Sequence, residues 1–240
     1  EAFDHFKIAV LSDLHNAEFG ADNSRLAELI ENEAPDMIAI TGDLIDSNRT
    51  DLRIAGELID TIAGIAPCYY VTGNHEAWAG TKYHELEQRL ADEGITVLHD
   101  EAETILRGDE RIQIAGLDDP AFSGEAAADG EGLFESRLKD MEIDGSFCIL
   151  LSHRPELFDV YVSADIDLVL SGHAHGGQFR LPFIGGLIAP DQGFLPEYDA
   201  GKYTEENTVM IVSRGLGNSI VPIRYNNDPE LVIVELSSIH

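Results

Sequence analysis

Phe6-Lys7-Ile8-Ala9-Val10-Leu11-Ser12-Asp13-Leu14-His15 is the stretch that decides the fold. Residues 6–11 are a short apolar run that stops at a Ser-Asp pair, and such a run reads as a buried strand feeding a polar turn. The pattern recurs at Met37–Ile40 before Thr41-Gly42-Asp43, and at residues 68–71 before Thr72-Gly73-Asn74-His75-Glu76. Amphipathic segments lie between these runs. Ser24, a favoured N-cap type, opens a helix through Glu33 with Leu26, Leu29 and Ile30 on one face. Residues 51–65 carry Leu52, Ala55, Leu58, Ile59 and Ile62 at helical spacing, and residues 82–93 form a third helix that ends at Gly94. Strand and helix alternate, which predicts a parallel sheet flanked by helices.

The second half is richer in strands. Residues 96–98, 103–106 and 112–116 read as a meander, and the acidic, Gly-containing residues 123–132 as an exposed loop. A helix is expected at 133–141. Strands follow at 147–152 and Leu168–Ser171, separated by a helix at 155–162, and the last strands fall at 209–213, 221–225 and 231–236. Residues 176–203 carry no clear period. Their Phe179, Leu181, Phe183, Ile184, Leu187, Ile188, Phe194 and Leu195 predict a long segment that folds back and packs. No repeat or linker divides the chain, so residues 1–240 are expected to form one domain of two packed sheets covered by helices.

At 240 residues, with 44% hydrophobic and 25% charged residues, the chain is globular in composition. No apolar run approaches the roughly 18 residues of a membrane helix. Fifteen Lys+Arg face 45 Asp+Glu, a formal charge of −30. A nucleic acid would meet repulsion, and no basic stripe offsets it. An anionic substrate needs a local positive centre, and bound cations are often the largest local charges in a site. Only four of the basic residues are Lys, which fits a halophile or a GC-rich genome. Cys68 and Cys148 sit in apolar runs as buried free thiols. The chain begins at Glu1 rather than Met, so a leader or anchor can precede it.

Five of the nine histidines follow predicted strands directly: His15, His75, His153, His173 and His175. Strand ends of an α/β sheet are where ligands gather. Asp13, Asp43 and Asn74 stand in the same turns. In extended backbone, residues i and i+2 point to one side, so Asp13 and His15 can share an ion, as can His173 and His175. Imidazole, carboxylate and carboxamide without thiolate suit Mn, Fe, Zn or a similar divalent ion. Seven such donors exceed one tetrahedral shell and suit two ions with a bridging carboxylate. Two metals about 3.5–4 Å apart can clamp the attacking and leaving oxygens of a phosphoryl displacement. A lone Asp-x-His or Gly-Asp is more often structural; the ordered set at successive strand ends carries the reading.

The set Asp13-x-His15, Gly42-Asp43-x-x-Asp46, Gly73-Asn74-His75-Glu76, His153 and Gly172-His173-x-His175 resembles the calcineurin-like metallophosphoesterase superfamily over about residues 6–236. Gly176-Gly177-Gln178, Ala189-Pro190-Asp191-Gln192-Gly193-Phe194 and Ser213-Arg214-Gly215-Leu216-Gly217 resemble a bacterial branch. Its members are often membrane-associated or exported, and some are similar to UDP-2,3-diacylglucosamine pyrophosphohydrolases. The resemblance implies an α/β fold, a four-layer αββα sandwich of two mixed β-sheets flanked by helices. It implies two divalent metal ions: Asp13, His15 and His175 hold the first, Asn74, His153 and His173 the second, and Asp43 bridges them. It implies that a metal-bridging hydroxide attacks phosphorus while His75 protonates the leaving oxygen. Asp46 is expected to hydrogen-bond His75 and fix its tautomer, as carboxylates do for imidazoles beside metals. The expected substrate is a phosphorylated small molecule or a lipid-linked phosphodiester or pyrophosphate, with membrane-surface association or export favoured over a cytoplasmic place. No nucleic acid is expected.

A phosphomonoesterase is the runner-up. Asp46-Ser47-Asn48 departs from the Asp-Arg-Gly of the protein-phosphatase branch, which counts against that version. A non-catalytic metal-binding scaffold is the rival of another class; it usually lacks the catalytic His or several ligands, and here none is missing. His5, His84, His99 and His240 read as surface or packing residues. Arg154, Arg180 and Arg214 lie near the motif loops, as structural partners or as a phosphate clamp. Trp78 either borders the site or packs. The apolar segment after His175 either walls a groove for a lipid-linked phosphodiester or covers the sheet edge.

Overall fold

The computed structural model describes residues 2–128, 130–219 and 221–238. In chain order the strands are β1 (Lys7–Leu11), β2 (Met37–Ile40), β3 (Cys68–Tyr70), β4 (Thr96–Val97), β5 (Glu101–Arg107), β6 (Glu110–Gly116), β7 (Cys148–Leu151) and β8 (Leu168–Ser171). Four two-residue strands follow: β9 (Arg180–Leu181), β10 (Gly185–Gly186), β11 (Ile188–Ala189) and β12 (Gly193–Phe194). β13 (Gly201–Glu205), β14 (Thr208–Val212) and β15 (Val232–Glu235) complete the set. The helices are α1 (Ser24–Glu33), α2 (Leu52–Ile62), α3 (Asn74–Ala79), α4 (Thr81–Asp92), α5 (Gly130–Asp140) and α6 (Phe158–Ser163).

One sheet has the order β15-β1-β2-β3-β4, parallel except for β15. The other has the order β13-β14-β8-β7-β6-β5, parallel through its centre and antiparallel at both edges. Strand alternation builds the layers. Ala9, Leu11, Ile38 and Ile40 face α1, α2 and α4, while Ile8, Val10, Met37 and Ala39 face the second sheet. Ile149, Leu151, Leu168 and Leu170 meet them from that sheet, and Cys148, Leu150 and Val169 turn outward to α5 and α6. The four layers are helix, sheet, sheet, helix, as the resemblance implied.

Local departures have local causes. Ser24 is the first helical residue, not the cap. Asn23 precedes it in a left-handed conformation (φ 57°), with its side chain bonded to Phe19 N and Ile54 O. Leu29 is exposed, and Ala27 takes the buried face beside Leu26 and Ile30. Asp51 caps α2 by accepting from Arg53 N at 3.0 Å. The expected meander is split between the sheets: β4 extends the first beside β3, and only the β5–β6 hairpin belongs to the second. A turn at Asp100 (φ 55°) separates β4 from β5. Residues 123–132 are not a plain loop; a 3₁₀ turn spans Pro120–Ala128, and α5 starts at Gly130. Residues 221–225 form no strand, because Val221 O and Ile223 O bond to the Gln178 side chain, leaving a single bridge between Tyr225 and Phe179.

Residues 176–203 fold into the small β9–β10 and β11–β12 hairpins, but Phe183, Ile184, Ile188, Phe194 and Leu195 stay exposed. Both cysteines are free and buried, and burial pushes each thiol up to about 12. His5 and His99 make surface contacts with carboxylates, and His84 lies on α4; His240 lies outside the described residues. Among the described residues no helix is long and apolar enough to cross a membrane.

Candidate metal centre

The carboxyl ends of both parallel runs open on the same edge. β1, β2 and β3 deliver Asp13, His15, Asp43 and Asn74, while β7 and β8 deliver His153, His173 and His175. All seven are buried, as is His75. Main-chain bonds lock the turns together: Asp13 N donates to Gly42 O (3.1 Å), His15 N to Asp43 O (3.1 Å) and Gly217 N to Asp13 O (2.6 Å). Five of the seven donors sit in left-handed backbone: Asp13, His15, Asp43, His173 and His175, with φ of 44–67°. Each costs roughly 1–2 kcal/mol for a residue with a Cβ, and strain of this kind collects at working sites. Close approach also demands glycine: a Cβ on Gly172 would collide with Ser12 Oγ, and one on Gly73 with Asp43 Oδ1.

The donor atoms converge in two groups. His15 Nε2 and His175 Nε2 are 3.2 Å apart, and Asp13 Oδ1 is 3.4 Å from His175 Nε2 and 3.8 Å from His15 Nε2. Ligands about 2.0–2.2 Å from one tetrahedral cation stand ~3.3–3.6 Å from each other, so these separations match the edges of one coordination shell. The second group joins Asp43, His153 and His173. One atom belongs to both: Asp43 Oδ2 lies 3.4 Å from His15 Nε2 and 3.2 Å from His153 Nε2. Among the described residues, Asp43 Oδ2, Asn74 Oδ1 and His153 Nε2 are buried without a hydrogen-bond partner. Orphaned polar atoms are costly in a protein interior, and these are the lone-pair atoms a cation needs. The residues fit a pair of divalent ions.

Neighbours orient the rings. His153 Nδ1 donates to Thr41 O at 2.6 Å, which turns Nε2 toward Asp43. His173 Nε2 lies 2.9 Å from Asp191 Oδ2 and 3.0 Å from Arg154 Nη1, at the cavity wall. Burial holds the imidazole of His15 below its usual range and pushes that of His175 down to about 3, whereas, against its own burial, Asp43 and Asp13 raise that of His153 to about 10. Burial alone would raise Asp13 and Asp43, but the surrounding imidazoles hold both carboxyls below the ordinary range.

Asp46 does not bond to His75 among the described residues. Its Oδ1 accepts from Asn48 N (2.8 Å) and Arg49 N (3.1 Å), and its Oδ2 lies 3.8 Å from His15 Nδ1. The tight turn that results presents Ser47 N to His75 Nδ1 at 3.0 Å. A backbone N–H can only donate, so the His75 proton sits on Nε2, which is 2.9 Å from Ser219 Oγ. Glu76, quoted only as part of its motif, is fully buried and accepts from Gly73 N, Asp43 N and Ile45 N at 2.8–3.3 Å. Burial and the nearby Asp43 push it up to about 8. Its signal was the i+3 spacing from Gly73, the position from which a helix carboxylate reaches back to the N-cap N–H.

A cavity of about 850 Å³ opens over Asp43, Asn74, His75 and His173. Trp78 borders it, with its ring 5.2 Å from His75. Arg154 also reaches it but is committed: it grips Asp119 bidentately (2.6 and 2.9 Å) and donates to Asp191. Arg180 pairs with Asp199 at 3.0 Å and Arg214 Nε lies 3.7 Å from Glu230, so each of the three arginines faces a carboxylate. From the apolar hairpins only Pro190 and Asp191 line the cavity; Phe183 points to solvent and walls no groove there.

Residues 6–177 match the family described as calcineurin-like phosphoesterase. The uncharacterized metallophosphoesterase YkuE of Bacillus subtilis is 34% identical over 244 residues, covering 98% of this chain and 80% of its own. Phosphodiesterase YaeI of Escherichia coli is 30% identical over 236 residues, covering 96% of this chain and 82% of its own. The solved structure of phosphopantetheinyl hydrolase PptH from Mycobacterium tuberculosis shares the fold, with TM-score 0.53 at 14% identity over 86% of this chain and 88% of that one. With this fold, this donor set and these relatives, the chain belongs to the calcineurin-like phosphoesterase family and is a metal-dependent phosphoester hydrolase.

Proposed function

We propose that the chain hydrolyses phosphodiester or pyrophosphate bonds. Asp13, His15 and His175 would hold one divalent ion and Asn74, His153 and His173 the other, with Asp43 contributing to both sets. The observation that carries this reading is Asp43 Oδ2, buried, unpartnered and within 3.4 Å of a nitrogen from each set. Bound there, the ions supply Lewis acidity toward phosphoryl oxygens and lower the pKa of water. The chain does the rest. His75 presents its Nε2 proton to the cavity, and Ser219 holds that nitrogen until a leaving oxygen replaces it. Hydroxyl from water joins phosphorus, the P–O bond breaks, water's remaining proton ends on the leaving oxygen, and the His75 Nε2–H hydrogen-bonds that oxygen as negative charge develops on it. Asp46 lies on the His15 side of the cluster rather than against His75, with its Oδ2 3.8 Å from His15 Nδ1, beyond hydrogen-bond distance.

Charge favours the diester. The cavity is lined by Glu131, Glu156 and Asp191, and its one guanidinium, that of Arg154, is already paired. A monoester brings two negative charges near neutral pH, and a diester brings one. The Mn²⁺-loaded protein is expected to hydrolyse bis-p-nitrophenyl phosphate with a kcat/KM about tenfold or more above that for p-nitrophenyl phosphate, as ~1.4 kcal/mol of repulsion implies. A reversed ratio would make the protein a phosphomonoesterase.

The exposed apolar hairpins favour a lipid-linked substrate as a second reading. Ile188 and Phe194 pair across β11 and β12, and the turn between them carries Pro190 and Asp191 to the cavity wall. An apolar surface beside a site suits an interface. The formal charge of −30 predicts binding to zwitterionic rather than anionic vesicles. Sedimentation with phosphatidylcholine vesicles should retain the protein and release the Phe183→Ser, Phe194→Ser double variant. Equal recovery of the two proteins rules this reading out.

A further inference from the structure

The acidic side chains that line the His75 cavity are not equivalent. Glu131 is exposed at the start of α5, and Glu156 stands 3.5 Å from Arg154 Nη1. Asp191 sits at a junction: its Oδ2 accepts from Arg154 Nη1 and lies 2.9 Å from His173 Nε2.

Arg154 is built into this place. Its side chain is buried, and Asp119, also buried, fixes Nε and Nη2 at 2.6 and 2.9 Å. Asp119 is tied in turn to the loop that carries Asn74 and His75, because its N–H donates to Thr72 Oγ1 at 2.9 Å. That grip leaves Nη1 as the end of the guanidinium toward the cavity, and Asp191 covers it. The turn that brings Asp191 there is braced. Gln192 accepts from Tyr198 N at 2.9 Å and donates to Tyr198 O at 3.0 Å, and Asp191 itself takes a left-handed backbone (φ 54°). Its side chain is nevertheless 57% exposed, so the carboxylate fills no gap in the core.

A phosphoryl oxygen needs what Asp191 has taken, the N–H donors of a planar guanidinium beside the donor cluster. With Asp119, Glu156 and Asp191 around it, this guanidinium faces three carboxylates. The cavity wall is therefore negative, and repulsion grows with the charge that a substrate brings. We propose that Asp191 is the specificity-determining residue of this site: by occupying Arg154 Nη1 it withholds the guanidinium from dianionic phosphoryl groups and confines turnover to phosphorus bearing a single charge. This inference rests on the diester reading above and names the residue that enforces it.

The test compares Mn²⁺-loaded proteins on p-nitrophenyl phosphate and bis-p-nitrophenyl phosphate. Asp191→Asn should raise the monoester-to-diester ratio of kcat/KM about tenfold or more, the worth of one charge-assisted contact, chiefly through a lower KM for the monoester. Asp191→Glu, which keeps the charge, should hold the ratio near that of the wild type. Glu131→Gln removes a charge from the same cavity but uncovers no arginine, and it should shift the ratio far less than Asp191→Asn does. Calorimetric titration with inorganic phosphate should show tighter binding to the Asp191→Asn protein than to the wild type. An unchanged ratio in Asp191→Asn, an equal shift in Glu131→Gln, or an unchanged phosphate affinity overturns the assignment. Loss of metal from Asp191→Asn on elemental analysis overturns it too, by making Asp191 a support for His173. A wild type that prefers the monoester removes the diester reading and this inference with it; a wild type that prefers the diester beside an unchanged Asp191→Asn removes this inference alone.

Discussion

Asp43→Asn leaves at most one metal ion per chain and lowers phosphodiester turnover by about 10³-fold or more. The substitution keeps the shape of the side chain and the oxygen that accepts from His75 N at 2.8 Å, so the Asn74 turn stays tied to the Asp43 loop. It removes the charge that serves both donor groups. A carboxamide that spends its oxygen on His75 N turns an NH₂ toward His15 Nε2 and His153 Nε2, where Asp43 Oδ2 now lies at 3.4 and 3.2 Å. Losing the bridge forfeits several kcal/mol of transition-state charge stabilisation, and 4 kcal/mol is already about 10³-fold in rate. Elemental analysis after gel filtration counts the metal, and circular dichroism checks the fold. A folded variant that keeps two ions refutes the bridging role.

His75→Gln behaves differently: metal content holds while kcat falls by about 10²–10⁴-fold, the usual worth of a positioned proton donor. The loss should depend on the leaving group. A p-nitrophenolate departs without needing a proton, whereas an alkoxide does not, so a dialkyl phosphodiester loses far more than bis-p-nitrophenyl phosphate. The geometry supports the asymmetry, because Ser47 N occupies Nδ1 and commits the proton to Nε2 on the cavity side. If both leaving groups lost rate equally, His75 would be stabilising charge on the phosphoryl group rather than on the leaving oxygen.

The positions of the seven donors were legible because each follows a buried apolar run, and a run that ends at a turn places its next polar residue at the sheet edge. Partners were less legible. Asp46 and Ser47 are adjacent, and sequence spacing alone does not say which meets His75. The choice is made by the two N–H groups that bind Asp46 Oδ1 and close the turn. Ser219 is 144 residues from His75, a separation that no local pattern spans. The exposed hairpins failed for another reason: Phe183 and Phe194 carry a core-like composition, and two-residue strands have too little backbone to bury them.

The bond from His153 to Thr41 O joins the second sheet to a loop of the first, 112 residues earlier in the chain. Donors from positions 13 to 74 emerge first in synthesis, and those from 153 to 175 follow only about 80 residues later. Neither half owns a complete set. On the proposed assignment of ligands, cation capture would follow docking of the halves and act as a clasp across their seam. Binding energy becomes folding energy at that moment. A cell poor in divalent ions would be short of closed molecules as well as of active ones.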